Sequence, residues 1–166
     1  MRLTFRDATV EDIEGIVALQ NATAEHLTAR FGKGHWSCAS TAKGAAHAMR
    51  HARIRIGGSG KRVVTVLRLA KKKPWAIDPA YFTPVKTPLY LTGMAVAVGH
   101  QGIGLGANAL ADAEATALRW PAHAIRLDAY DAEAGAAGFY ARCGYEERGR
   151  VVYRKCPLVY FERLLR

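Results

Sequence analysis

A mixed α/β fold, with helices on both faces of one sheet, is predicted by three features of this sequence. Runs with strand-like alternation are interspersed with runs in which apolar residues recur at helical spacing. The segment Gly57-Gly58-Ser59-Gly60 separates two strand-like runs, as expected for a hairpin. A glycine-rich turn, residues 101–106, joins a further strand-like run to a helix-like run. Elements in this order build a sheet covered by helices.

The first half of the chain is predicted to contain three strands and three helices. Leu3 and Phe5 alternate with polar neighbours, which indicates a strand. Thr9 then has the residue type of a helix N-cap, and acidic residues follow it in the first turn. Further helices are expected over residues 24–31 and 40–51, and strands over residues 52–56 and 62–69.

The second half begins with a long connection, residues 71–88, that is interrupted by prolines and carries several aromatic residues. A strand over residues 89–98 and a helix over 107–118 are expected to flank the glycine-rich turn. A strand over 125–130, a short helix over 132–143 and two closing strands around Cys156-Pro157 complete the prediction. Long loops in compact domains are often functional.

Composition limits the class of protein. The 166 residues suit one domain, residues 1–166, and half of them are hydrophobic, which favours a folded chain. No apolar run reaches the length of a membrane span, and the charged N-terminus does not resemble a signal peptide. The three cysteines, Cys38, Cys143 and Cys156, are odd in number and widely spaced, which favours a reducing, cytoplasmic environment.

The glycine-rich turn predicts an anion site. Backbone N–H groups at a strand-to-helix turn point one way, and the helix dipole adds positive potential suited to a pyrophosphate. A Walker loop would end in Gly-Lys-Ser/Thr, whereas Leu105-Gly106-Ala107 stands here. A dinucleotide fingerprint would have G-x-G-x-x-G early in the chain, whereas this turn reads G-x-G-x-G late in it. A tight turn that binds nothing is the remaining alternative.

Three segments resemble the GNAT superfamily of N-acetyltransferases. Gln101, Gly104 and Gly106 form a Q-x-x-G-x-G pattern that resembles the family's pyrophosphate loop, and Met94-Ala95-Val96 resembles its fourth strand. The segment from Gly138 to Tyr145, which contains Phe139-Tyr140, resembles the family's FY-x-x-x-G-aromatic segment. The resemblance implies a mixed, mostly antiparallel central sheet with one splayed parallel pair.

The resemblance also implies a reaction and its residues. It implies transfer of acetyl from acetyl-CoA directly to a primary amine in a ternary complex, with Tyr140 as the acid that protonates the departing thiolate. A core tyrosine that only packs is the alternative for Tyr140. The expected cofactor-binding residues are Met94, Ala95, Val96, Gln101, Gly102, Ile103, Gly104, Leu105, Gly106 and Ala107. Backbone N–H groups near Ala95 and Val96 are where relatives bind the thioester.

The acceptor side of the site is less defined by the sequence. Trp75, Tyr81 and Asp128 are expected to bind the substrate, together with residues 22–36. Relatives often carry a glutamate base on the fourth strand, but residues 90–98 contain no carboxylate, which leaves Asp128, Asp131, Asp78 and Glu147 as candidates. The alternative is that no residue acts as a base and the amine loses its proton through water. Relatives also carry an asparagine seven residues before the tyrosine, where this chain has Glu133.

Other functions receive weaker support. The net charge of +10 attracts anions, yet only Lys71-Lys72-Lys73 is clustered, so no specific nucleic-acid partner is expected. His47 and His51 have the spacing of a metal pair, but no third ligand is evident and no metal is expected. The expected acceptor is a small-molecule amine or a peptide, and relatives suggest a homodimer. A peptide acetyltransferase and a nonenzymatic CoA-binding module remain as alternatives.

Overall fold

The computed structural model describes residues 1–166 and contains seven strands and four α-helices. The strands are β1 (Thr4–Asp7), β2 (Arg53–Ser59), β3 (Arg62–Ala70), β4 (Pro88–Val96), β5 (Ala124–Tyr130), β6 (Glu146–Tyr153) and β7 (Cys156–Leu164). The helices are α1 (Ile13–Phe31), α2 (Ala42–His51), α3 (Leu105–Arg119) and α4 (Ala137–Arg142). No helix is long and apolar enough to cross a membrane.

The strands form one sheet in the order β1-β2-β3-β4-β5-β7-β6. The pairs β1/β2, β2/β3, β5/β7 and β6/β7 are antiparallel, and β4/β5 is parallel. The parallel register runs only from Pro88–Ala124 to Tyr90–Arg126, although β4 continues to Val96 and β5 to Tyr130. The mixed sheet and its one parallel pair are therefore confirmed.

Two compact units make up the chain. The first unit contains residues 1–69 and 93–113, and the second contains residues 70–92 and 114–166. In the first unit, one apolar cluster joins Ile16 and Leu19 of α1 to Ile54, Ile56 and Val66 of β2 and β3. This cluster secures α1 to the strands, because burying each such side chain contributes roughly 1.5–3 kcal/mol.

The core of the second unit is aromatic. Ile77 and Phe82, from the long connection before β4, pack with Tyr90 of β4 and Tyr160 of β7. Burying two residues of the connection in this way holds a segment that has little regular secondary structure of its own.

Most predicted boundaries lie within two residues of those in the structure, and three differ more. The helices expected at the start and over residues 24–31 form the single helix α1, because residues 16–31 contain no glycine or proline that would end the helix between them. The hairpin turns at Gly60 and Lys61, since Gly57 and Gly58 belong to β2. Helix α4 begins only at Ala137, five residues later than predicted.

Candidate functional site

The turn between β4 and α3 has the backbone that its glycines predict. Gly102 and Gly104 have φ angles of 77° and 85°, a region that other residues rarely adopt. A methyl group placed on either glycine would meet no atom within 4 Å, so both face open space. The turn therefore needs glycine for its conformation and leaves room beside its backbone for a ligand.

Helix α3 begins directly after this turn. Its first helical hydrogen bond is donated by the Asn108 N–H to the Gly104 carbonyl, at 3.1 Å. The N–H groups of Leu105, Gly106 and Ala107 consequently have no acceptor within the helix. The Leu105 side chain is buried with Leu3 and Val64 and so secures the start of the helix.

The remaining predicted residues of this turn are exposed. Gln101 is exposed and donates from its side-chain Nε2 to the Val96 carbonyl, at 3.0 Å. The Ile103 side chain is 61% exposed. Free amides, open space and the positive end of a 15-residue helix together form a cradle suited to a phosphate group.

The strand before the turn is irregular where the sequence places the thioester-binding residues. Gly93 has a φ of 60° inside β4, a left-handed conformation that favours glycine and that ordinary strand residues do not adopt. Met94, Ala95 and Val96 follow it and are half-buried. Ala95 and Val96 pack against the apolar clusters of the first unit. This packing secures the last residues of β4 beyond the end of the parallel register.

Tyr140 lies on α4 and is 7% exposed. Its ring contacts Tyr145 and Phe161, with ring centroids 5.9 Å away in each case. Burial raises the pKa of the Tyr140 hydroxyl well above its usual value, and the Asp128 charge raises it further. The hydroxyl is therefore protonated at every working pH, which is the state that an acid catalyst must start from.

Asp128 differs from the other candidate bases. It lies on β5 opposite Tyr160 of β7, and burial raises the pKa of its carboxyl group. Asp131 and Glu147 both accept hydrogen bonds from Arg150, and Asp78 accepts one from the Ala80 N–H. Asp128 is thus the candidate whose surroundings favour taking up a proton.

The long connection before β4 presents its two predicted acceptor residues to solvent. Trp75 is 82% exposed and Tyr81 is 40% exposed. The backbone between them is held, because the Tyr160 hydroxyl donates to the Ala76 carbonyl and accepts from the Asp78 N–H. The two aromatic side chains therefore project from an ordered segment.

A buried ion pair also secures this connection. Arg126 Nε lies 3.7 Å from Glu162 Oε2, and both side chains are almost fully buried. Glu162 accepts from the Thr83 N–H with both oxygens, and Arg126 donates to the Thr83 carbonyl at 2.6 Å. The ion pair thus holds both the N–H and the carbonyl group of Thr83.

The turn before α4 contains Glu133, which stands where relatives carry an asparagine. Glu133 is exposed there, so its carboxylate is in water. Gly135 approaches the Tyr130 carbonyl so closely that no side chain would fit.

The predicted histidine pair lies on α2. His47 and His51 stack there with ring centroids 4.5 Å apart, and no group of three or more His, Cys, Asp or Glu residues could hold a metal.

Sequence reasoning missed one polar residue of the first unit. Arg68 lies on β3, half-buried, between Leu67 and Leu69. The available signal was a charged residue inside a run from Val63 to Leu69 that is apolar apart from Thr65.

Known structures share this fold. A ribosomal-protein-alanine N-acetyltransferase from Brucella melitensis superposes with a TM-score of 0.74 and 16% identity, over 98% of this chain and 100% of that chain. A GNAT-family acetyltransferase from Listeria monocytogenes gives a TM-score of 0.75 and 18% identity, over 98% and 95%. The protein yncA from Salmonella typhimurium, solved with its cofactor acetyl-CoA, gives 0.71 and 16%, over 100% and 95%.

Sequence comparison defines the family more directly than these distant structures do. No curated protein sequence matches the chain significantly. The family model described as Acetyltransferase (GNAT) family matches residues 61–145, which is just over half of the chain. That range includes β4, the glycine-rich turn and Tyr140. The chain belongs to the GNAT family of acetyltransferases.

Proposed function

We propose that this acetyltransferase transfers the acetyl group of acetyl-CoA to the primary amine of a small-molecule acceptor. The transfer is direct, with both substrates bound at once. The observation that carries the proposal is the turn at residues 101–107, where two positive-φ glycines face open space beside the free amides of α3. That cradle fits the pyrophosphate of acetyl-CoA.

The reaction places two demands on the protein. The neutral amine nitrogen forms a bond to the thioester carbonyl carbon, the C–S bond breaks, and the sulfur takes a proton. The acceptor must therefore lose a proton, and a protonated group must stand ready for the sulfur. Backbone N–H groups at Ala95 and Val96 are proposed to bind the thioester oxygen, as in relatives.

Tyr140 is the proposed acid. The Tyr140 hydroxyl keeps its proton because burial raises the pKa of the hydroxyl. The family pattern points to no other residue as the acid. A positioned acid of this kind contributes roughly 10²- to 10⁴-fold in rate.

Asp128 is proposed to bind the acceptor amine. Its carboxyl group has a raised pKa, so it accepts a proton more readily than an exposed aspartate does. Trp75 and Tyr81 are proposed to contact the remainder of the acceptor, because both are exposed on an ordered segment.

Two alternatives share the cofactor cradle. A peptide or protein acetyltransferase would use the same chemistry on a larger acceptor, and a nonenzymatic module would bind acetyl-CoA without transferring its acetyl group. A screen with a thiol reagent separates them. Acetyl-CoA is supplied with a panel of small amines and, separately, with peptides that have free N-termini or lysines.

Thiol release that depends on a small amine supports the proposal. Release with peptides alone indicates the peptide enzyme, and calorimetric binding of acetyl-CoA without any release indicates the module. Failure to bind acetyl-CoA would contradict both the proposed cofactor and the proposed reaction.

The positive charge is proposed to serve anionic ligands rather than nucleic acid. Nucleic-acid binding that rests on charge alone is independent of sequence and weakens steeply with salt. An anisotropy titration with two unrelated DNA duplexes should show equal, weak binding that disappears near physiological salt. Tight, sequence-selective binding at that salt would contradict this assignment.

Location and assembly are also proposals. Three free cysteines, one of them exposed, suit the reducing cytoplasm. A homodimer is proposed because relatives often form dimers. Light scattering across a range of protein concentrations measures the assembly.

A further inference from the structure

Arg68 is a half-buried cation on the sheet face that α1 covers. It pairs across the strands with Ile54 of β2, and the side chains of cross-strand partners lie on one face of a sheet. Ile54 belongs to the apolar cluster that contains Ile16 and Leu19 of α1. The Arg68 side chain thus borders apolar surroundings that offer it little solvation.

No protein group compensates the charge of Arg68. Two other arginines of this part of the sheet have carboxylate partners, in the pairs Arg6–Asp12 and Arg55–Asp112, at 2.7 and 2.8 Å. Arg68 has neither a hydrogen bond nor an ion pair, and burial alone lowers the pKa of its guanidinium group. A partly desolvated charge without a partner is costly to the fold.

The Arg68 guanidinium lies against Gly93 of β4. A methyl group placed on Gly93 would lie 3.2 Å from Arg68 Nε and 3.5 Å from Arg68 Cζ. Because Gly93 has no side chain, the Arg68 guanidinium can lie close to the backbone of β4. Met94, Ala95 and Val96, the proposed thioester-binding segment, follow immediately along β4.

Guanidinium chemistry identifies the missing partner. The planar group presents five N–H donors in a fork that matches a carboxylate or a phosphate. The phosphates of acetyl-CoA already have a cradle at residues 101–107. A second anion bound beside the thioester segment would belong to the other substrate.

We propose that Arg68 binds a carboxylate of the acceptor, so that the enzyme prefers primary amines that carry a carboxylate group close to the amine. This inference rests on the proposed function and names its substrate class. Arg68 acts in binding and specificity, while Tyr140 retains the proton transfer.

Matched pairs of acceptors test the proposal. Glycine is compared with glycinamide, and phenylalanine with phenylalaninamide, by thiol release at saturating acetyl-CoA. Each pair gives a ratio of kcat/KM for carboxylate over amide. The ratio is measured for the wild type, Arg68→Met, Arg68→Lys and the control Arg62→Met, which removes an exposed charge from the same strand. Comparing ratios between proteins cancels the intrinsic reactivity of each amine.

The wild type should favour the carboxylate member of each pair. Arg68→Met should lower the ratio roughly 10- to 100-fold, the loss expected for a charge-assisted hydrogen-bonded contact. Arg68→Lys should lie between them, because a lysine keeps the charge without the fork. Arg62→Met should match the wild type. An unchanged ratio in Arg68→Met would overturn the proposal.

Calorimetry with acetyl-CoA separates the two sources of an anion. An unchanged Kd in Arg68→Met supports the acceptor carboxylate. A Kd that rises tenfold or more, with an unchanged acceptor ratio, would assign Arg68 to a cofactor phosphate and overturn the proposal.

A binding measurement decides the matter even if no amine is acetylated. The Nε–H signal of Arg68, assigned by its loss in Arg68→Met, is followed by nuclear magnetic resonance during titration with N-acetylglycine and N-acetylglycinamide. Movement with the carboxylate and not with the amide supports the site. Equal or absent movement would overturn it, whereas absent thiol release with every acceptor would count against the proposed function alone.

Discussion

The side-chain Nε2 of Gln101 donates a hydrogen bond to the carbonyl of Val96, and the two atoms lie 3.0 Å apart. This bond joins the start of the glycine-rich turn to the last residue of β4. Gln101 thereby positions the turn with its side chain and leaves the backbone amides that follow to face a ligand. The arrangement explains why a polar side chain precedes a run of glycines.

Gly104→Asp should weaken acetyl-CoA binding by roughly 100-fold. The added carboxylate would project into the open space beside the amides of α3, where it would repel a phosphate and occupy its place. Calorimetric titration of the folded variant measures the effect.

The matched control for this variant is Gly60→Asp. Gly60 also has a positive φ, 61°, and open space beside it, but it lies in the β2–β3 hairpin. It reproduces the backbone strain and the charge change without the phosphate cradle. Equal losses of affinity in the two variants would refute the cradle.

Tyr140→Phe should lower kcat by roughly 10² or more, with a modest change in acetyl-CoA affinity. The substitution keeps the ring contacts with Tyr145 and Phe161 and removes only the proton. Stopped-time thiol assays and calorimetry report the two quantities separately.

Tyr145→Phe is the control, because Tyr145 is buried beside Tyr140 and its hydroxyl has no hydrogen-bond partner. Its turnover should equal that of the wild type. If Tyr140→Phe also turned over at the wild-type rate, Tyr140 would be a packing residue.

Much of the fold was predictable because local chemistry determines it. The glycines at 102 and 104, between a strand-like run and a helix-like run, indicate a strand-to-helix turn, and the structure has that turn. The mixed sheet with its parallel pair followed from the family resemblance and is confirmed.

The remaining features depend on contacts between residues that are distant in sequence. Arg126 and Glu162 form a buried pair on neighbouring strands and fix residue 83, which no local pattern indicates. The unpartnered state of Arg68 likewise depends on which groups the fold brings near it. The start of α4 was predicted five residues too early, because the tight turn at Gly135 precedes the helix.

The stability that Asp12 contributes should be lost as the pH falls below 4. Asp12 accepts two hydrogen bonds from Arg6, at 2.7 and 2.8 Å, and one from the Thr9 N–H. The bonds from Arg6 are the main cause of a pKa of about 2 for the Asp12 carboxyl group. Because this folded-state pKa lies below the unfolded value of about 3.9, the stabilisation is present above pH 4 and is lost as the pH falls towards 2.

Asp12→Asn should therefore cost about 1–2 kcal/mol of unfolding free energy at pH 7, since Arg6 is half-exposed and its charge is screened. The difference from the wild type should shrink between pH 4 and pH 2. Urea unfolding at several pH values measures it, with the exposed Glu14→Gln as a charge-matched control. A difference that stays constant down to pH 2 would contradict the assigned pKa.

The β6–β7 turn should be a site where substitution stabilises the protein. Arg154 and Lys155 form its two central residues, with φ angles of 48° and 66° between the paired residues Tyr153 and Cys156. Two positive-φ residues in a two-residue hairpin turn are the pattern for which Asn-Gly is preferred, and each other residue costs about 1 kcal/mol there. The double variant Arg154→Asn/Lys155→Gly should therefore relieve about 2 kcal/mol of strain. Loss of the Arg154 contact with the Tyr153 ring, 5.3 Å to its centroid, offsets roughly 0.5–1 kcal/mol of this gain.

The double variant should thus be about 1–1.5 kcal/mol more stable than the wild type, which corresponds to a rise in Tm of roughly 2–6 °C for a chain of this size. Calorimetric unfolding tests this against Arg2→Asn/Arg62→Asn, which removes two charges from exposed positions without touching the turn. A double turn variant that melts at or below the wild-type temperature would show that the strained turn costs less than the ring contact supplies.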